Sequence, residues 1–325
     1  MKFLNLTFFD ELEKAENILL AGAGGGYDIF TGLPLYFGLR AIGKNVHLAN
    51  LSFSFLPPSN EQSLSPSLLK VTADTLLLTN YFPEFYLYFP EFYLSQWFRE
   101  TQDEEIPIYC FKKTGVKPLL ENYKLLVKQL SLDTIILVDG GTDSLTRGDE
   151  VGLGTPAEDV SSIAAVNELE IERKMLTCLG FGVDYFHGIC HAQFLESVAE
   201  LTKKGGYLGM FSLMQEMPEV KKFQEASEYV FREMPHYISI VSSSILSAIA
   251  GHYGDYHATP RTDGSTLWIN PLMPVYWCFR FPQIAQRILY LEDMKETETI
   301  LDVVNVINEF RKNCKTIRAW EDIIV

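Results

Sequence analysis

The sequence predicts an α/β fold: a Rossmann-like, mainly parallel sheet with helices on both faces and a C-terminal α/β appendage. Short runs of branched apolar residues alternate with amphipathic stretches of helix length, which is the pattern of βα units around a parallel sheet. The run Ile18-Leu19-Leu20 enters "AGAGGGYDIF" and then a helical pattern, so a strand meets a glycine turn and a helix. Two later apolar runs end the same way, in glycines followed by a carboxylate, at "VDGGTD" and "GFGVD".

In chain order, apolar runs place strands near 17–22 ("NILLAG"), 46–51 ("VHLANL"), 106–111 ("IPIYCF"), 134–139 ("TIILVD"), 175–181 ("MLTCLGF") and 206–213 ("GYLGMFSL"). Amphipathic segments place helices at about 30–41, 117–130, 157–170, 189–203, 218–233 and 239–251. From about 265 the character changes. "STLWINPLMPVYWCF" carries two prolines and two tryptophans, and two further helical patterns run to about 314. No Gly/Ser or Pro linker precedes this part, so residues 1–325 read as a single α/β domain whose appendage packs across the sheet. "YFPEFYL" occurs twice in tandem, at 81–87 and 88–94. Seven residues are two helical turns, so the insert keeps a helical face in phase, with Pro90 expected inside the lengthened helix as a kink. The duplication is either a tolerated local repeat or an aromatic patch for self-association or for walling a ligand cleft.

Composition narrows the function. A 325-residue chain with 47% apolar and 21% charged residues can bury a large core. Its net charge of −15 argues against sequence-independent nucleic-acid binding and against docking on anionic membranes. The five cysteines form no CxxC pair, and the N-terminus turns acidic before a signal-peptide core could complete. The run "YISIVSSSILSAIAG" is too short and too serine-rich to span a bilayer. A cytoplasmic protein with a small-molecule ligand is expected, and a homo-oligomer is compatible with the sequence.

The glycine loop fails the dinucleotide fingerprint. Counting G-x-G-x-x-G from Gly22 puts Tyr27 in the last glycine position, and counting from Gly24 puts Ile29 there. Where the next strand would offer a ribose-binding acid, it offers Asn50, and no GK[ST] is present. What remains is Gly24, Gly25 and Gly26 at the mouth of a helix, where backbone N–H groups approach an anion closely. The competing account is a turn that lets strand and helix pack tightly.

Each of the three glycine-terminated strands supplies acids: Asp28, then Asp139 and Asp143, then Asp184. Ligands of open parallel sheets sit beyond the carboxyl ends of the strands, so neighbouring strands would converge these acids on one cleft. Gly140, Gly141 and Thr142 then belong to the ligand loop, with Gly22 at the base of the first. Asp139 and Asp143 are candidates for a base or for Mg²⁺ ligands, and Asp149 and Glu150 extend the metal-ligand set. Thr155-Pro156-Ala157-Glu158 has the form of a capping box, which assigns Glu158 and Asp159 to the helix dipole. His187 and His191 are spaced for one helix face, although Gly188 between them favours a helix that starts later; His187 is the candidate general acid. Arg261, in a turn-rich loop, is either an anion anchor or the partner of Asp255 or Asp263.

"GAGGGYD", "VDGGTDSLTRGDEVGLGTPAED", "GFGVDYFHG" and "RTDGSTLWINPLMPVYW" resemble the DUF1152 family, over about residues 15–320. The resemblance implies a whole-chain fold and brings no activity. A fainter likeness is to sirtuin and DHS-like NAD-binding proteins: "GAG" is followed by Thr31-Gly32-Leu33-Pro34, and Gly141–Leu145 is distantly like their nicotinamide-site motif. The spacing is longer, Thr146 stands where a catalytic histidine would, and zinc cysteines are lacking, so an NAD- or ADP-ribose-like ligand is the part that carries over. The residues thus lead to an enzyme on a nucleotide-like or phosphorylated ligand, with a non-catalytic sensor and an interaction protein as rivals.

Overall fold

The computed structural model of the protein describes residues 6–56, 62–75 and 88–323. Among the described residues nine strands join in one sheet: β1 (Asn17–Gly22), β2 (Asn45–Leu51), β3 (Ser63–Ser65), β4 (Leu68–Val71), β5 (Ile108–Phe111), β6 (Thr134–Asp139), β7 (Arg173–Cys178), β8 (Tyr207–Ser212) and β9 (Val275–Arg280). Their order is β3-β4-β5-β2-β1-β6-β7-β9-β8. The central five, β5-β2-β1-β6-β7, are mutually parallel. Antiparallel strands β4 and β3 extend one side, and β9 runs antiparallel between β7 and β8 on the other. Taken in chain order, the parallel strands follow the 3-2-1-4-5 arrangement of Rossmann-like folds. The chain switches direction across the sheet between β1 and β6.

The helices are α1 (Thr7–Glu13), α2 (Asp28–Thr31), α3 (Leu33–Ala41), α4 (Pro90–Gln102), α5 (Val116–Gln129), α6 (Pro156–Asn167), α7 (His191–Lys203), α8 (Pro218–Glu233), α9 (Ile240–Ile249), α10 (Phe281–Ala285), α11 (Leu291–Met294) and α12 (Ile300–Asn313). They cover both faces. Side chains alternate along a strand, so Leu19 and Ala21 of β1 and Ile135 and Leu137 of β6 join the core under α5–α7 and α10–α12. Ile18, Leu20, Ile136 and Val138 point the other way, into the core under α1–α4 and α8. Burial on both faces explains why these strands are apolar throughout instead of alternating.

The expected mainly parallel α/β architecture is what the chain adopts, and the six expected strands all form. The run expected at 175–181 ends at Cys178, because Gly180 takes φ +110° and opens a turn. Strands β3 and β4 were not anticipated, being three and four residues long. The C-terminal α/β appendage expected from about 265 supplies a strand, β9, that lies inside the sheet instead of packing across it, together with α10–α12. Pro90 is the first residue of α4, where its missing N–H costs nothing, so it starts the helix and does not kink it. The first repeat copy, 81–87, lies outside the described residues.

One buried cation ties the C-terminal part to the region after β6. Arg287, 4% exposed, donates from Nε to Glu200 Oε2 on α7 (2.8 Å), from Nη1 to the Leu145 carbonyl (2.9 Å) and from Nη2 to Ser197 Oγ (2.7 Å). Arg287→Ala is expected to cost about 2–3 kcal/mol in urea unfolding, since a buried carbonyl loses its donor and Glu200 loses one of its two cations, keeping only Lys204. A loss below about 0.5 kcal/mol, typical of a surface site, would show that the anchor is dispensable.

Candidate functional site

The three strands that end in glycine and carboxylate, β1, β6 and β7, lie side by side. Their carboxyl ends open on a cavity of about 310 Å³ at the switch between β1 and β6. Asp28, Asp139, Asp143 and Asp184 all face it, and so does Asp159 from α6. Asp28 keeps part of its surface open; the other four are buried, with Asp159 only 1% exposed.

Backbone amides orient four of the five acids. Gly24 N donates to Asp28 Oδ2 at 2.7 Å, and Thr142 N donates to Asp184 Oδ2 at 2.7 Å. Asp139 Oδ2 accepts from Ser144 N at 3.2 Å and from the Ser144 hydroxyl. Asp143 Oδ2 accepts from Thr155 N at 2.8 Å and from Thr155 Oγ1 at 3.1 Å. Asp159 is different: its Oδ1 is buried without a hydrogen-bond partner. Oxygens of Asp28, Asp139 and Asp159 lie within 4.8 Å of one another, which makes these three the group able to share a cation.

The glycines are the spaces these carboxylates fill. A Cβ on Gly24 would meet Asp159 Oδ2 at 2.7 Å, and one on Gly140 would meet Asp28 Oδ1 at 2.8 Å. On Gly141 it would meet Asp184 Oδ2 at 2.3 Å. This changes the reading of the loop. The anion already held by the Gly24 amide is the chain's own Asp28, so that amide is not free for a ligand. Gly25 and Gly26 do line the cavity, whereas Gly22, Gly141 and Thr142 do not; they shape it from behind.

The loop is also braced from below. Asn50, at the end of β2, donates from Nδ2 to the Gly26 carbonyl and to Glu91 Oε1, both at 2.8 Å. Glu91 is fully buried near the start of α4, and burial raises its carboxyl above the usual range. The position where a dinucleotide fold would carry a ribose-binding acid thus serves as a strut. Tyr88, in the same repeat copy as Glu91, walls the cavity next to Gly26, with Phe53, Phe186 and Tyr237 as further aromatic surfaces.

His187 and Arg261 stand at the exposed rim. His187 ends a short 3₁₀ turn, Val183–His187, and His191 begins α7, so the two do not share a helix face. His191 packs its ring against Phe181 and Tyr185, with centroids 5.0 and 5.5 Å away. Arg261 donates from Nη1 to the Ile238 carbonyl at 2.6 Å and pairs with neither Asp255 nor Asp263; Asp255 is taken by His257 Nε2 at 2.9 Å.

Asp149 and Glu150 are a correction. Neither lines the cavity, because guanidinium groups and amides already occupy their oxygens. Arg147 and Arg318 grip Asp149 at 2.7 and 3.0 Å, and Arg318 also reaches Glu150 at 2.9 Å. Glu150 further accepts from Arg147 N and Gly148 N. The pair fastens the C-terminal tail and has no vacancy for a metal. Thr155 is likewise no capping-box residue, since its hydroxyl turns to Asp143. Asp159, assigned from sequence to the helix dipole, instead faces the cavity. A readable signal was there: it opens the uncharged stretch "VSSIAAV", a helix buried nearly all round, in which an acid has no solvent to point to.

Crowding of acids out of water has a measurable consequence. Burial, reinforced by the other aspartates, holds Asp28, Asp159 and Asp184 well above the ordinary carboxylate range. Asp139 is pushed up to about 7, by burial first and by Asp143 second. The folded state therefore keeps a proton on Asp139 that the unfolded chain releases near pH 4, and stability falls as pH rises through that window. In chelator-treated protein, Asp139→Asn is expected to be more stable than wild type at pH 8, with the gain gone by about pH 4. Equal melting temperatures for the two at pH 8 would show that the cluster carries no strain.

Among the described residues no helix is long and apolar enough to cross a membrane. No curated protein and no solved structure matches the chain significantly. One family model does, under the description "Protein of unknown function (DUF1152)", over residues 95–314 or about two thirds of the chain. The matched stretch contains Asp139, Asp143, Asp159, Asp184 and Arg261, with Asp28 and the glycine loop ahead of it. On that match the chain belongs to the DUF1152 family.

Proposed function

We propose that the protein is a cytoplasmic small-molecule enzyme, a hydrolase or group transferase, acting on a nucleotide-like or phosphorylated ligand. The observation that carries this reading is the convergence of five aspartates from β1, β6, β7 and α6 on one cavity, beside Arg261 and exposed aromatic rings. Burying acids together opposes folding, and such strain is most often kept where it serves chemistry. The volume suits a small ligand rather than a peptide or nucleic acid.

The parts divide the work as follows. Phe53, Tyr88 and Phe186 offer faces for a base or sugar ring. Arg261 takes a phosphate at the rim, and His187, also on the cavity wall, serves as general acid. Asp143, whose buried carboxyl is raised above the usual range, suits a general base for the attacking water or hydroxyl, and Asp139 next to it is left to orient that water or to hold a metal ion. Five free cysteines, four of them buried, fit a reducing compartment.

Two measurements test this. A thermal-shift screen of nucleotides, NAD, ADP-ribose and sugar phosphates should find a ligand that adds about 2.7 kcal/mol at a hundredfold excess over its Kd. Asp143→Asn should abolish turnover of that ligand with the melting temperature retained, because an amide oxygen can still accept from Thr155. Full activity in the variant removes Asp143 from the mechanism. A screen in which nothing raises the melting temperature defeats the reading as a whole.

A further inference from the structure

We infer that Asp28, Asp139 and Asp159 form a binding site for a hard divalent cation of the Mg²⁺ class. Each residue offers a carboxylate oxygen, and the three oxygens lie within 4.8 Å of one another. Octahedral coordination at about 2.1 Å sets ligand oxygens roughly 3–4 Å apart, so a modest inward movement of side chains completes one face of the shell. All three donors are hard oxygens, and no cysteine or histidine belongs to the group, which selects against zinc and copper.

Proximity of acids alone would not make a site. The second observation is Asp159. Its residue is 1% exposed, yet Oδ1 has no hydrogen-bond partner, among aspartates whose neighbouring oxygens are held by amides. A buried carboxylate oxygen left without a donor is costly, and among the described residues no side chain or amide supplies one. A cation would satisfy that oxygen and screen the repulsion from Asp28 and Asp139 in one step. Asp28 and Asp139 are already oriented from behind, by Gly24 N and Ser144 N, so the site is largely built before an ion arrives. The remaining positions of the shell face the cavity, open to water and to ligand oxygens.

The ion's use in catalysis rests on the function proposed above; its binding does not. Placed between the acids and a phosphate, it would let an anionic ligand approach a floor that otherwise repels it. This site differs from the set suggested by sequence: Asp139 stays, Asp28 and Asp159 join it, Asp143 falls outside the group of three, and Asp149 and Glu150 are excluded by their arginines.

The test uses the full chain, stripped with chelator, and reads binding of Mn²⁺ by electron paramagnetic resonance and of Mg²⁺ and Ca²⁺ by calorimetry, with no other ligand present. One ion per chain is expected, with affinity weakened by about 10-fold or more in Asp159→Asn and in Asp28→Asn. Glu158→Gln, on the same helix but paired with Lys113 outside the cavity, should bind as wild type does. Circular dichroism confirms folding; if Asp159→Asn fails to fold, Asp28→Asn alone decides. Absence of stoichiometric binding, or equal binding by wild type and the folded Asn variants, overturns the site. Ion binding without any nucleotide response would leave the site standing and defeat only the enzymatic reading.

Discussion

The repulsion among buried carboxylates is the constraint around which this end of the molecule is organised. At 5 Å and an effective dielectric of 20, two like charges cost about 3 kcal/mol, and five acids share one hollow here. The chain meets that cost locally. Asp28, Asp139, Asp143 and Asp184 each take a backbone N–H from a turn at the end of a strand or the start of a helix. Those turns have to come close to the carboxylates they serve, and glycine is the residue that permits it. On Gly154, at φ +65°, a Cβ would lie 2.3 Å from Asp143 Oδ2. Gly24, Gly140, Gly141 and Gly154 are therefore a packing requirement of the acids themselves, whereas Gly25 and Gly26 make room for Phe53 and Tyr88.

This explains what could be read in the sequence and what could not. Strands buried on both faces are apolar throughout, so β1, β2, β6 and β7 stood out, as did the helices with one apolar face. The glycine–aspartate endings pointed to a shared cleft because they share one physical cause. By contrast, the place of β9 was hidden: its "VYWCFR" follows two prolines, and nothing local says that it inserts antiparallel between β7 and β8. Asp159 was hidden because its position in the first turn of α6 has a ready local explanation in the helix dipole. The uncharged stretch after it was the one sequence sign to the contrary, and the packing that buries nearly the whole of α6 shows that it cannot point to water. Asp149 and Glu150 failed in the opposite sense. Their density looked like a metal set, but their partner Arg318 lies far along the chain, where no local pattern reveals it.

The duplicated heptapeptide is absorbed into the same architecture. In the second copy, Pro90 starts α4, Glu91 braces Asn50 beneath the glycine loop, and Tyr88 forms part of the cavity wall. A Cβ on Gly26 would stand 3.0 Å from the Tyr88 hydroxyl, so loop and tyrosine are fitted to each other. The segment that looked like a surface accident thus sets the position of the loop. Of the two accounts read from the repeat, walling a cleft is the one these contacts favour for the second copy.

The distribution of charge gives the cavity a direction. Its floor is made of acids and its rim of Arg261 and His187, with aromatic rings between. A bare phosphate would be repelled from the floor and attracted at the rim. A sugar hydroxyl, a water molecule or a cation would be drawn the opposite way, toward carboxylates able to accept hydrogen bonds or coordinate. On the proposed function, a ligand carrying both kinds of group would enter hydroxyl-first with its phosphate at the rim, and a bound cation would be what lets a phosphate go deeper. That polarity also accounts for how a chain of net charge −15 could take an anionic molecule at all: among the described lining residues the permanent cation is Arg261 at the mouth, Lys113 stands behind the lining Phe53, and the acids deeper in reward groups that donate protons or bring positive charge.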